Sequence, residues 1–175
     1  VVKTWTHLAL VKNSTTTTLY INGVSIASFT DSVTYANDSV QIGKAWDANY
    51  WNGYISNLRI TKGQALYTSA FTPSTTPLTP ITSNATVYTS LLTCNDSYFK
   101  DWSSTNATIT KAGDAAIVRT SPFGNYKITS TGYSYLFAGS GSYIVVADTL
   151  DIYAQPITIE AWLYPTTAGY APIIE

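Results

Sequence analysis

Residues 50–73, YWNGYISNLRITKGQALYTSAFTP, decide the fold of this chain. Within them, residues 54–61 alternate between two kinds of side chain. Tyr54, Leu58 and Ile60 fall on one predicted face, and Asn57, Arg59 and Thr61 fall on the other. A period of two predicts a β-strand with one buried side and one side facing water. A Gly-Gln-Ala-Leu-Tyr corner and a Pro-rich tail follow, so the strand is expected to close a β-sandwich.

The composition favours an all-β protein. Aromatic residues reach 14% of the 175 residues and charged residues only 11%, and Thr, Val, Ile and Tyr favour the pleated surface of a sheet. No segment keeps a helical period over ten residues. The net charge of −1 gives no electrostatic footprint for nucleic acid, and no apolar run approaches the roughly 20 residues that span a bilayer.

Further strands are predicted on both sides of residues 50–73. The clearest is the hairpin at 18–29, because Asn22-Gly23 supplies the two positive-φ residues of a type I′ turn. The other predicted strands cover residues 5–11, 39–43, 87–94, 107–113, 133–148 (with a turn at Gly139-Ser-Gly141) and 157–165. Residues 72–86, TPSTTPLTPITSNAT, are predicted to be a surface linker, because Pro removes ladder donors. A boundary is therefore expected near residue 80.

Three motifs carry a family resemblance: WTHLALVKN with LYINGV, IGKAWDANYWNGYISNLRITKGQALYTSAFTP, and YLFAGSGSYIVVADTLDIYAQPITIEAWLYPT. They resemble the concanavalin A-like lectin/glucanase superfamily, and more narrowly the laminin-G-like jelly-roll modules found in tandem in phage and bacterial surface proteins. The order of the blocks is inverted relative to that family. Residues 1–80 resemble the C-terminal half of one module, and residues 81–175 resemble the N-terminal half of the next.

Two arrangements follow from the inverted order. In the favoured one, the chain is a window cut from a tandem array, its first residue is not a natural start, and other sequence completes each half. In the other, the two halves fold on each other as a permuted sandwich. A half sandwich with open apolar faces is unstable alone in water, so either arrangement requires a cover.

Catalysis is not expected. His7 is the only histidine, and with no nucleophile motif beside it we interpret it as a half-buried strand residue. Glycosidases need paired carboxylates, and no second carboxylate shares the predicted face of Glu160 in ITIEAWLYP. Cys94 is the single cysteine, which excludes an internal disulfide, and its apolar setting predicts a small buried hydrophobe.

No cofactor is expected. The resemblance makes calcium conceivable, but Asp148 and Asp151 would supply only two carboxylates, and Asp38 and Asp47 lie in loops of the other half. Calcium prefers six to eight oxygen ligands. Ordinary turn-capping aspartates are the simpler interpretation.

A glycan site is the alternative to a purely structural role. A sugar is held by an exposed aromatic ring together with Asn or Asp side chains. The candidate residues in AWDANYWNG are Trp46, Asp47, Asn49 and Tyr50, whereas Trp51 matches a position that is buried in the family. The leading hypothesis is a non-catalytic structural or assembly module of an extracellular or virion-surface repeat protein, such as a phage tail or fibre protein or a bacterial surface filament. Its expected partners are neighbouring copies or modules, and the lectin-like adhesion module is the alternative.

Overall fold

The structure is a computed structural model that describes residues 2–34, 39–82, 86–124, 132–147, 150, 156–169 and 172–175. These residues form strands, turns and extended segments, and no helix occurs among them. The strands are β1 (Thr6–Asn13), β2 (Thr16–Ile21), β3 (Val24–Thr30), β4 (Val40–Ile42), β5 (Asn52–Lys62), β6 (Tyr88–Thr93), β7 (Ile109–Ala112), β8 (Ala116–Val118), β9 (Ser134–Ala138), β10 (Tyr143–Val146) and β11 (Ile157–Pro165).

The strands form two antiparallel sheets. The large sheet has eight strands in the order β3-β2-β1-β11-β5-β9-β8, with β6 also paired to β5, and the small sheet has the order β4-β10-β7. Strand β11 comes late in the sequence, and it lies between β1 and β5, which both come early. An all-β antiparallel jelly-roll sandwich is therefore confirmed.

The hydrophobic core lies between the two sheets. Its fully buried side chains include Ile55 and Ile60 of β5, Leu91 of β6, Phe137 of β9 and Ile144 of β10. Each such side chain stabilises the fold by about 1.5–3 kcal/mol. Because both portions of the chain supply these residues, each portion covers the apolar face of the other. Whether the portions derive from successive modules of a tandem array stays a prediction.

The predicted Asn22-Gly23 turn is confirmed between β2 and β3. Both residues have positive φ, 49° and 78°, as a type I′ turn requires. A Cβ on Gly23 would lie 1.7 Å from the carbonyl oxygen of Phe71, and the Phe71 amide donates to the Gly23 carbonyl at 3.0 Å. The turn is therefore pinned to a segment that is distant in sequence.

A bulge in β5 corrects the predicted alternation. Asn57 has φ of 52°, so Tyr54 lies on the opposite face from Leu58 and packs on the ring of Tyr164 at 5.5 Å between centroids. The face expected to meet water is also buried, since Arg59 is only 7% exposed. Sequence alternation misses the position of Tyr54 because one left-handed residue reverses every side chain that precedes it.

Residues 63–82, which we call the strap, explain why that face is dry. The strap crosses the outer face of the large sheet, and its residues 72–82, which fall in the predicted surface linker, are exposed or partly exposed except for Leu78. The Leu78 amide donates to the Asn57 side chain at 2.8 Å, and the Ile81 carbonyl accepts from the Thr89 amide at 2.9 Å. Leu78 is itself buried, so the Pro-rich part of the strap is anchored to the sheet at this residue.

Candidate functional site

The predicted glycan loop, residues 44–50, connects β4 to β5 and stands out from the sandwich. The ring of Trp46 is 86% exposed. The Ala45 amide donates to the Asn49 carbonyl at 2.9 Å, and Ala48 closes the loop with φ of 59°. Asp47 accepts from the Asn49 amide at 3.2 Å and from its side chain at 2.5 Å. The two polar side chains therefore bind each other, and Trp46 is the freely presented group.

Tyr50 and Trp51 face away from the loop tip. Tyr50 is half-buried, with its ring centroid 6.3 Å from that of Tyr143 on β10, and Lys44 Nζ lies 4.7 Å from the centroid of Tyr143. Trp51 is 6% exposed, which confirms that it belongs to the core. The structure thus brings together Trp46, Asp47 and Asn49 from the predicted set, and it directs Tyr50 toward the small sheet.

A second polar cluster lies on the outer face of the large sheet and is centred on Glu160. Oε1 of Glu160 accepts from Nε of Arg59 at 2.9 Å and also from Nη2 of Arg59. Oε2 accepts from the Tyr67 hydroxyl at 2.8 Å and lies 3.2 Å from Nε2 of His7. Nη1 of Arg59 donates to the Thr79 carbonyl at 2.9 Å. We call these four side chains (His7, Arg59, Tyr67 and Glu160) the carboxylate network.

Strand register and the strap together build this network. Ala9 and Arg59 flank Glu160 on neighbouring strands, and the strap supplies Tyr67, whose ring stacks on Phe71 at 3.5 Å. His7 and Glu160 are each 1% exposed. The expectation of a half-buried histidine is therefore wrong, because the strap covers a face that the sequence alone leaves open.

Electrostatics in the network favour an ionised glutamate and a neutral tyrosine. Burial opposes ionisation of Glu160, but hydrogen bonds from His7, Arg59 and Tyr67 and the charge of Arg59 offset it, so the pKa of Glu160 falls below its ordinary value. Burial raises the pKa of Tyr67, and the Glu160 charge raises it further. Burial likewise raises the pKa of Cys94, which is fully buried as predicted.

The carboxylate network is not arranged like a glycosidase pair. In the part of the chain that the structure describes, the side-chain partners of Glu160 are His7, Arg59 and Tyr67, which are donors and not a second acid. His7, Arg59 and Glu160 are buried, whereas glycoside hydrolysis requires two carboxylates on either side of a bound sugar.

Metal ligands give no assembled site within the described ranges. No group of three or more His, Cys, Asp or Glu side chains is placed there to hold an ion. Asp47 is engaged by Asn49, and Asp38, Asp148 and Asp151 lie outside the described residues.

One cavity of about 450 Å³ opens on the outer face beside the strap. It is lined by Asn22, Pro73, Ser74, Thr75, Pro122, Phe123 and Trp162. The rings of Phe123 and Trp162 meet edge to face at 5.8 Å, and Trp162 Nε1 is buried with no hydrogen-bond partner among the described residues. Sequence reasoning misses this cavity because four separate segments form its wall, and no motif links them.

Residues 1–70 match a laminin-G family model described as the concanavalin A-like lectin/glucanases superfamily. This supports the superfamily resemblance for the part of the chain that contains β1 to β5. The wider resemblance, over residues 71–175, stays a prediction.

Searches of curated proteins and of solved structures each returned no match. Among the residues described, no helix is long and apolar enough to cross a membrane.

Proposed function

We propose that the chain is a non-catalytic structural module of a large extracellular repeat protein, such as a phage tail or fibre protein or a bacterial surface filament. The observation that carries this proposal is the carboxylate network. The only histidine of the chain and Glu160 are both sealed beneath the strap, and Glu160 binds Arg59 on the neighbouring strand. The groups that could perform acid–base chemistry instead link neighbouring strands of the sheet.

The long pairings of the large sheet support a mechanical role. Strand β11 pairs with β1 over seven residue pairs and with β5 on its other side. The first and last portions of the chain are therefore joined by backbone hydrogen bonds, and a pull on either portion would load several bonds together. The strap adds side-chain ties across the same strands.

A tandem context is part of the proposal. It rests on the inverted order of the resembling blocks in the sequence, of which residues 1–70 match the family model, and a further module is expected to continue the array. Recurrence of a segment like WTHLAL in the sequence that encodes the region after Glu175 would support the array, and its absence over a full module length would contradict it.

Location can be tested directly. An antibody raised against the folded chain should label intact source virions or unpermeabilised cells. Labelling that requires lysis would overturn the proposed surface role. An antibody against an abundant cytoplasmic protein is the matched control, because it must stay silent until lysis.

A glycan-binding adhesion module is the second candidate, and the exposure of Trp46 favours it. An exposed indole can stack on the apolar face of a sugar ring, and the Asp47 and Asn49 side chains beside it can still accept or donate one further hydrogen bond. On a glycan array, Trp46→Ala should abolish any signal, whereas the control Trp102→Ala, on a different loop, should retain it. A wild-type chain that binds no glycan removes this candidate.

A further inference from the structure

Strand β3 forms an unprotected edge of the large sheet. It pairs with β2 on one side, and no described strand pairs with its other side. All seven of its residues are exposed. Val24, Ile26 and Phe29 are 57%, 57% and 55% exposed, respectively. Edge strands of monomeric proteins are normally guarded by charged residues or proline, and VSIASFT contains neither.

We propose that β3 pairs with β3 of a second copy of this chain, antiparallel and about a two-fold axis. This inference rests on the proposed structural function and names how copies meet. The free backbone groups of β3 would complete their hydrogen bonds with an identical strand, as in strand addition, and the exposed apolar side chains would be covered in the same step.

Charge and length favour a second copy of β3 over other strands of the same chain. Because β3 carries no charge, an antiparallel pair of β3 strands places no like charges opposite each other. The opposite side of the large sheet ends in β8, which has only three residues, and in β6, whose outer backbone groups already bond to Ile81, Asp101 and Trp102. Head-to-tail pairing of β3 with β8 would therefore form a shorter ladder, and it would generate an open filament instead of a closed pair.

A β-bulge determines which part of β3 can pair regularly with a second copy. The register between β2 and β3 shifts opposite Leu19 and Tyr20, so the first part of β3 curves and Ala27–Thr30 forms the regular ladder. Phe29 lies in that regular part, and Ile26 lies at the bulge. We expect Phe29 to contribute more to the contact than Ile26.

Sedimentation velocity of the intact chain over a concentration series tests the pairing. The expected species has twice the 19.0 kDa chain mass. Phe29→Lys should raise the dimer Kd by about tenfold or more, because it removes an apolar contact and places a lysine of each copy in the same contact. Tyr98→Lys is the matched control. Tyr98 is also exposed, and its carbonyl accepts from the hydroxyl of Tyr135 on β9, on the far side of the large sheet from β3. This control should leave the Kd unchanged.

Every outcome decides the proposal. A wild-type chain that stays monomeric throughout the series overturns it, and so does a dimer that is unaffected by Phe29→Lys. Growth into polymers that Phe29→Lys blocks would mean that β3 pairs head to tail, which also overturns the two-fold pair. Circular dichroism of each variant verifies folding. Surface labelling is independent of these results, so failure of the pairing and failure of the structural role are distinguishable.

Discussion

Replacing Glu160 by glutamine should destabilise this protein far more than the small change in shape suggests. The substitution keeps the size of the side chain and removes its charge. Arg59, which is 7% exposed, would lose its counter-charge, because the glutamine amide oxygen can accept from Nε and Nη2 but carries no charge. A buried guanidinium without its counter-charge is the costly species in this variant.

The expected loss follows from that burial. Removing one partner of a buried ion pair costs about 3–5 kcal/mol. The total free energy of unfolding of a domain is only about 5–15 kcal/mol. We expect Glu160→Gln to remove about 3–4 kcal/mol from the free energy of unfolding. Arg59→Met/Glu160→Gln should be more stable than the sum of the two single losses predicts, by about 2 kcal/mol, because the double variant leaves no unpaired buried charge.

Urea unfolding at pH 7, followed by tryptophan fluorescence, measures these values. Glu175→Gln is the matched control: Glu175 is the only other glutamate and is exposed, so its loss should stay within about 0.5 kcal/mol. If Glu160→Gln costs less than about 1 kcal/mol, or if the two single losses simply add, Glu160 is not the centre of a coupled buried network.

Three further predictions follow from individual residues. Since the folded pKa of Glu160 is lowered, its stabilisation is present above the ordinary glutamate pKa of about 4.3 and is lost as pH falls through the folded value; urea midpoints of wild type and Glu160→Gln should therefore converge in acid. Gly23→Ala should cost clearly more than Gly141→Ala in the same assay, because both positions have positive φ but only the first meets the Phe71 carbonyl; equal costs would show that backbone strain alone acts. Trp46→Ala should change the thermal midpoint little, because its ring is exposed, and a large fall would show that the loop is packed.

The sequence predicts the strands well because period-two alternation and turn chemistry are local signals. The Asn22-Gly23 turn and β11 are placed as expected, and Trp51 is in the core. Strand β8 is missed because its three residues are too few to show a period. The burial of Arg59 is missed as well, since no local pattern indicates that a later Pro-rich segment will fold back across the same strand.

The candidate sites show the same division between local and non-local information. Trp46 could be singled out because an aromatic residue in a polar loop is a local signal, and the structure exposes it. The turn-capping interpretation of Asp47 also rests on a local signal, and the Asn49 amide donates to Asp47 as that interpretation expects. A cavity wall built from four segments has no sequence signature at all.

The strap links the two main features of the molecule. By covering the outer face over β1, β5 and β11, it turns polar strand residues into the buried carboxylate network. Its cover reaches Gly23 through the Phe71 amide and stops there, at the turn that begins β3. The strand beyond that turn is therefore left uncovered on both faces and along one edge. Since an apolar strand with free backbone groups gains by pairing, the same chain path that seals the interior of the sheet also determines where a second copy can attach.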